Sequence, residues 1–286
     1  MIAHLEGVRE LVDYRPDTYL RLYDNTDFEE YPMHWHTCME VIMPVQGTYT
    51  LRCGKDTEFF TLQEQDILLI LPGVLHNLSA CRGERYILQA ELSRALPLKS
   101  LEAASTMLAP AVRVTPDTDP DIYPRLRELM DTIIREYSES APMYEAAVYG
   151  HFLEMIVLLA RSRSRLQTPP GASSTKQKEY LDKFIDICAY INEHCAEDLT
   201  LDMVAERAGF SKYHFTRLFR QFTDMSFYKY LNQKRIERAE LLLGNPSLSV
   251  TEISLASGFT SLSSFIRMFK IIKGCTPSQF RAMRDT

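Results

Sequence analysis

Between residues 19 and 90 the chain sets short β-branched and aromatic runs between turn residues: Cys38 to Val45, Gly47 to Arg52, Phe59 to Leu62, Ile67 to Leu71 and Tyr86 to Ala90. Strands this short at this spacing predict an all-β sandwich or barrel. After Pro97 the period changes. Apolar residues recur three and four apart in Ile122 to Tyr137 (Leu126, Leu129, Ile133) and in Pro142 to Arg163 (Val148, Phe152, Met155, Ile156, Leu159), which predicts two amphipathic helices. The second stripe is apolar enough to pack on the barrel or on a second subunit. From residue 176 onward strand signals vanish, and helix stops appear at Gly209, Asn245-Pro246 and Gly274 with Pro277 beyond it. The pattern predicts an α+β chain of two domains: a β-barrel followed by helices, then an all-α half.

That all-α half repeats itself. Ala208-Gly209-Phe210-Ser211 corresponds to Ser257-Gly258-Phe259-Thr260, and Ser211, Phe215, Arg217, Phe219 and Arg220 correspond to Ser261, Phe265, Arg267, Phe269 and Lys270. Each unit reads as a short helix (Leu201 to Ala208; Val250 to Ser257), a Gly-centred turn and a second helix (Lys212 to Gln221; Leu262 to Lys273). This is the double helix-turn-helix plan, in which the second helix of each unit enters a major groove. Phe227 to Leu243 predicts a connecting helix, with Lys234, Arg235 and Arg238 outward and Tyr230, Leu231, Ile236, Leu241 and Leu242 packed. It would hold the two reading helices about 34 Å apart, one turn of B-DNA.

The chain has 286 residues, 45% apolar and 24% charged, enough for two domains and unlike a disordered or collagen-like composition. No apolar run approaches the ~20 residues of a membrane helix. The N-terminus carries Glu6 and no signal-peptide core, so a cytoplasmic protein without a membrane partner is expected. Cys38, Cys53, Cys81, Cys188, Cys195 and Cys275 are scattered, with no C-x-x-C pair, and read as reduced thiols. The net charge of −6 argues against nucleic acid until the chain is divided. Residues 1–175 hold 16 Lys and Arg against 25 Asp and Glu, whereas residues 176–286 hold 16 against 13. The sign changes at a Pro-, Gly- and Ser-rich stretch that predicts a linker at 166–178, between domains at 1–165 and 179–286.

In the acidic half His34, His36, Glu40 and Gly47 are followed by Asp66, Pro72-Gly73 and His76. On one strand, residues 34, 36, 38 and 40 share a face. Three nitrogens and one carboxylate suit a divalent metal such as Zn, Fe, Ni or Mn. The same four residues suit a pocket for a sugar, polyol or carboxylate, or a hydrogen-bonded core; Trp35 and Tyr31 are expected beside them. The spacing resembles the first metal motif of the cupin superfamily, a small jelly-roll barrel. The second motif departs: Gln65 stands where Gly precedes the Asp, Pro72 and Gly73 are adjacent, and Ala80 stands where Asn is usual.

The stretch from Val250 to Lys270, closing with Gly274 to Arg281, resembles the signature of the AraC/XylS family of bacterial transcription regulators, and the resemblance spans Tyr180 to Arg281. Ser254 replaces the usual Ala, and Asp224 the usual Gly. The resemblance implies a cupin-like sensor ahead of a DNA-binding domain, with promoter DNA, a small-molecule effector and RNA polymerase as partners. It also implies a homodimer formed through the helices near 122–163, and activation of a metabolic operon. No catalytic residue is expected, and no cofactor beyond the metal reading of the His/Glu set; the alternative is a cupin metalloenzyme with a regulatory DNA-binding tail. In the first reading helix Phe215, Leu218, Phe219 and Phe222 form the buried stripe, leaving Lys212, Tyr213, His214, Thr216, Arg217 and Arg220 for DNA. Leu262, Ser263 and Arg267 correspond in the second. Arg217 suits a guanine edge, while Lys212, Arg220, Lys270 and Lys273 suit phosphates.

Overall fold

The short runs become strands of two sheets in a computed structural model that describes residues 5–6, 8–53, 58–92, 98–167, 174–223 and 225–282. The chain divides into two units, Met1–Arg163 and Ser164–Thr286. In the first, a hairpin of β1 (Leu5–Glu6) and β2 (Arg9–Glu10) precedes two antiparallel sheets. One sheet is ordered β11 (Ala111–Val114), β8 (Ile67–Ile70), β5 (Met39–Gln46), β10 (Glu84–Ala90), β3 (Leu20–Asn25); the other β4 (Tyr31–His34), β9 (His76–Leu78), β6 (Tyr49–Cys53), β7 (Glu58–Leu62). The strands that the pattern does not predict are β1, β2, β3, β4, β9 and β11; all but β3 have four residues or fewer, and several carry charged residues, His or Pro.

Between the sheets lies a core that includes Ile42, Leu51, Leu68, Ile70, Leu78 and Ile87. The outer face of the five-stranded sheet, with Met39, Val41, Met43, Leu69 and Leu88, packs against helices. These are α1 (Lys99–Leu108), α2 (Tyr123–Glu139) and α3 (Tyr144–Gln167). Leu126, Leu129 and Ile133 of α2 and Val148, Phe152, Met155, Ile156 and Leu159 of α3 are all buried there, each contributing roughly 1.5–3 kcal/mol. The stripe of α3 therefore packs on its own barrel. Because both faces of the sheet are covered, β5 is buried at six consecutive positions instead of alternating. An ion pair between Arg125 and Glu154 at 2.9 Å joins α2 to α3 at the surface.

The predicted linker at 166–178 is partly helical: α3 continues to Gln167, and α4 (Ser174–His194) starts at Ser174. Arg, Lys, Gln and Glu flank the Pro-Pro-Gly centre and are good helix formers. Residues 168–173 lie outside the described residues.

The second unit continues with α5 (Leu201–Arg207), α6 (Lys212–Thr223), α7 (Phe227–Leu243), α8 (Val250–Ala256), α9 (Leu262–Lys273) and α10 (Pro277–Ala282). Hydroxyls of Thr200, Ser226, Ser249 and Ser261 cap four of these helices, and Ser249 forms a reciprocal capping box with Glu252. The turns of the two repeats place Gly209 at φ 70° and Gly258 at φ 87°, where a side chain is strained. At Gly258 a Cβ would also meet the backbone of Cys195 and Ala196 at 2.8 Å, whereas at Gly209 it would meet nothing. Asp224, the departure noted between α6 and α7, lies outside the described residues.

Two expectations for α7 need correction. Arg235 is half-buried, donating to the carbonyls of Cys195 and Glu197 at 2.8 and 2.9 Å, whereas Arg238 is exposed as expected and also donates to the carbonyl of Ala256 at 2.9 Å. Leu241 is exposed; Tyr230, Leu231 and Ile236 are buried as expected, joined by Phe227, Ala239 and Leu243. Among the described residues no helix is long and apolar enough to cross a membrane.

Candidate functional site

His34, His36, Glu40 and His76 meet inside the barrel, although not as one strand face. His34 ends β4 opposite His76 of β9, in the four-stranded sheet. The chain then crosses over, so that His36 lies in the crossing and Glu40 sits on β5 of the other sheet, opposite Gln89. Ring centroids are 4.3 Å apart for His34 and His76 and 5.0 Å for His36 and His76. Gly73 (φ 74°) donates its N–H to the His36 carbonyl at 2.8 Å and fixes the crossing. Gln65 adopts φ 68°, the conformation a glycine holds most easily at that point of the cupin motif.

Each imidazole is oriented by a backbone carbonyl. Nδ1 of His34, His36 and His76 lies 2.8, 3.1 and 2.9 Å from the carbonyls of Pro32, Cys38 and Val74. A carbonyl only accepts, so Nδ1 donates and Nε2 faces the interior. His36 Nε2 is 3.1 Å from Glu40, and His76 Nε2 is 3.6 Å from it, buried and without a hydrogen bond. Burial opposes ionisation of Glu40, yet the hydrogen bond and charge of His36 hold its carboxyl down at about 2. Burial also opposes a charged His36, but Cys38 and Glu40 push it well above its ordinary value. His76 is pushed down to about 3, by burial and then by His34.

Two further residues complete the cluster. Glu10 reaches in from the N-terminal hairpin, 3.6 Å from His34 Nε2, and Gln89 donates to Glu10 at 3.0 Å and to Glu40 at 2.8 Å. Burial, and then the charge of Glu40, push the Glu10 carboxyl up. Gln89 was signalled by a polar residue inside the run Ile87 to Ala90; Glu10 stands in no pattern. Asp66 is outside the cluster, taking Arg113 at 2.7 Å and the Gln63 N–H at 2.9 Å. Trp35 is buried beneath the hairpin, its backbone paired with Val8 and Glu10. The ligand atoms of the three histidines lie within 4.8 Å of one another, as do those of Glu10, His36 and Glu40. Converging Nε2 atoms whose opposite nitrogens are fixed by carbonyls, beside an anionic carboxylate, form a set that could hold a divalent transition metal.

In the second unit α6 buries Phe215, Leu218, Phe219 and Phe222 and exposes Lys212, Tyr213, Thr216, Arg217 and Arg220, while His214 is half-buried edge-on to Phe210. Tyr213 is 82% exposed. Lys212 is paired with Asp202 at 2.7 Å. On α9, Leu262, Ser263, Arg267 and Lys270 are exposed. Lys273 is not, and this corrects its reading as a phosphate contact: it is buried and paired with Glu240 of α7 at 2.6 Å.

A family model described as an AraC-like ligand binding domain matches residues 18–154, and one described as a helix-turn-helix domain matches residues 204–283. An HTH-type transcriptional regulator of Staphylococcus aureus (strain COL) is 39% identical over 103 residues, 36% of this chain, but the match spans only 14% of that protein's length. The transposon Tn10 TetD protein of Escherichia coli is 35% identical over 96 residues, 34% of this chain and 70% of TetD. The DNA-binding domain of AdpA, a global transcriptional factor solved with a target DNA, is 30% identical, covering 34% of this chain and 87% of that domain with a TM-score of 0.33. The repeated Gly-turn units, the barrel ahead of them, the two family-model matches and the match to TetD agree that the chain belongs to the AraC family of helix-turn-helix transcriptional regulators.

Proposed function

We propose that this chain is a sequence-specific promoter-binding transcription regulator, acting in the cytoplasm, whose barrel senses a small molecule. The observation that carries the reading is the paired exposed face of Lys212, Tyr213, Thr216, Arg217 and Arg220 on α6 and Leu262, Ser263, Arg267 and Lys270 on α9, over a buried aromatic stripe. His214 takes part at the edge of the first face. Arg217 and Arg267 read base edges, and Lys212, Arg220 and Lys270 hold phosphates. Arg217→Ala and Arg267→Ala should each weaken binding to the promoter site by about 1–3 kcal/mol, measured by fluorescence anisotropy, and affect scrambled DNA far less. Equal losses on both DNAs would reduce them to phosphate contacts.

His34, His36, Glu40 and His76 are the effector site. The donor set suits a divalent metal held by the three Nε2 atoms and Glu40, with Glu10 and Gln89 around it. Such an ion, when bound, supplies a Lewis-acidic centre for an oxygen-bearing sugar, polyol or carboxylate. His36→Ala should abolish the effector response in a reporter assay and spare promoter binding. Elemental analysis of untagged protein reports on the metal, and its failure leaves the DNA-binding reading intact. Homodimerisation uses the remaining face of α3, where Gly150 is exposed and Val157 is half-buried; sedimentation of Val157→Glu as a monomer would support it. Activation through RNA polymerase completes the reading.

A further inference from the structure

A second polar site lies in the barrel, away from the histidines. The inward side chains of β10 are Gln89, Ile87 and Arg85, so Arg85 stands about 13 Å along the strand from Gln89. It is 0% exposed, and none of its three guanidinium nitrogens makes a hydrogen bond. Instead it faces two rings, with its central carbon 4.8 Å from the Tyr49 centroid and 5.5 Å from that of Tyr31. The Tyr49 hydroxyl is also buried without a hydrogen bond. Nearby, Asn25 donates to the Tyr31 hydroxyl at 2.7 Å. Among the described residues no carboxylate pairs with Arg85.

Two aromatic faces offset part of the cost of burying a cation. Its N–H donors face the hydroxyls of Tyr49 and Tyr31 without a well-aligned hydrogen bond, and buried polar groups in native proteins are almost always matched. The cavity beside the His/Glu cluster is lined by Glu40, His34 and His76 at one side and by Ile87 and Tyr31 at another. Tyr31 thus borders both this chamber and the guanidinium.

We propose that Arg85 is an anion-binding subsite of the barrel and takes the carboxylate of a small organic acid, with the Tyr49 hydroxyl as a second donor. This rests on the reading of the barrel interior as the effector chamber. A planar, singly charged carboxylate matches the guanidinium fork. A phosphate, with more charge and a tetrahedral outline, needs more donors than one Arg and one Tyr provide.

The test is calorimetric titration of the full chain with sodium acetate, sodium benzoate, disodium succinate and sodium phosphate at constant ionic strength, repeated for Arg85→Met and Arg85→Lys. Saturable binding of a carboxylate is expected, weakened roughly ten- to a hundredfold in Arg85→Met and less in Arg85→Lys. If no carboxylate binds the wild type, if phosphate alone binds, or if Arg85→Met binds a carboxylate equally well, the proposal is overturned. Should Arg85→Met not fold, Arg85→Lys decides: an unchanged affinity is then the adverse result. Promoter binding measured on the same samples keeps this outcome separate from failure of the DNA-binding reading.

Discussion

Lys273 shows how one position can mislead and then be explained. It reads as a basic residue at the end of an exposed helix, yet Phe265, Phe269 and Lys273 are spaced by four, so the buried stripe of α9 runs straight into it. Glu240 meets it there, and the pair locks α9 to α7. Lys273→Met should cost roughly 3 kcal/mol, because it removes the ion pair to the largely buried Glu240, while Lys273→Met combined with Glu240→Leu should recover most of the loss. Denaturant midpoints of the full chain measure both. The exposed set Lys212, Tyr213, Thr216, Arg217 and Arg220 was legible from helical spacing alone. Glu10 was not, because nothing local marks a residue that enters the site from a hairpin of two-residue strands.

At the level of elements, the two repeats look interchangeable in sequence and differ in packing. Gly209→Ala should cost about 1–2 kcal/mol for the left-handed backbone alone, and Gly258→Ala clearly more, since its Cβ would press on Cys195 and Ala196. Thermal unfolding of the two variants ranks them. Ser249→Ala removes the hydroxyl of the capping box and should cost about 1 kcal/mol. The barrel was legible as a class, because its runs were short and apolar. Its site was legible in composition only: period-two alternation puts His34 and Glu40 on one strand, whereas the chain changes sheets between them, and a tertiary crossing leaves no trace in local spacing.

Across the whole chain, the division of charge sets how DNA binding responds to salt. Three basic groups on the exposed faces, Lys212, Arg220 and Lys270, amount to a slope of log affinity against log salt of about −3 per protomer. Anisotropy titrations between low and physiological salt measure it, and Lys270→Ala should reduce its magnitude by about one. The change of charge sign and composition falls where α3 ends at Gln167 and α4 begins at Ser174, and the Lys-, Arg- and Gln-rich flanks of that stretch are helical.

Strand β5 serves two cores, with Glu40 and Ile42 turned toward the chamber and Met39, Val41 and Met43 toward the helices. Adjacent codons in one gene segment therefore answer to different selections. In a saturation library across these five positions, inducer-blind alleles that still accumulate should cluster at 40 and 42. Alleles that lose the protein from the cell should cluster at 39, 41 and 43, so that the two classes of survivor alternate residue by residue.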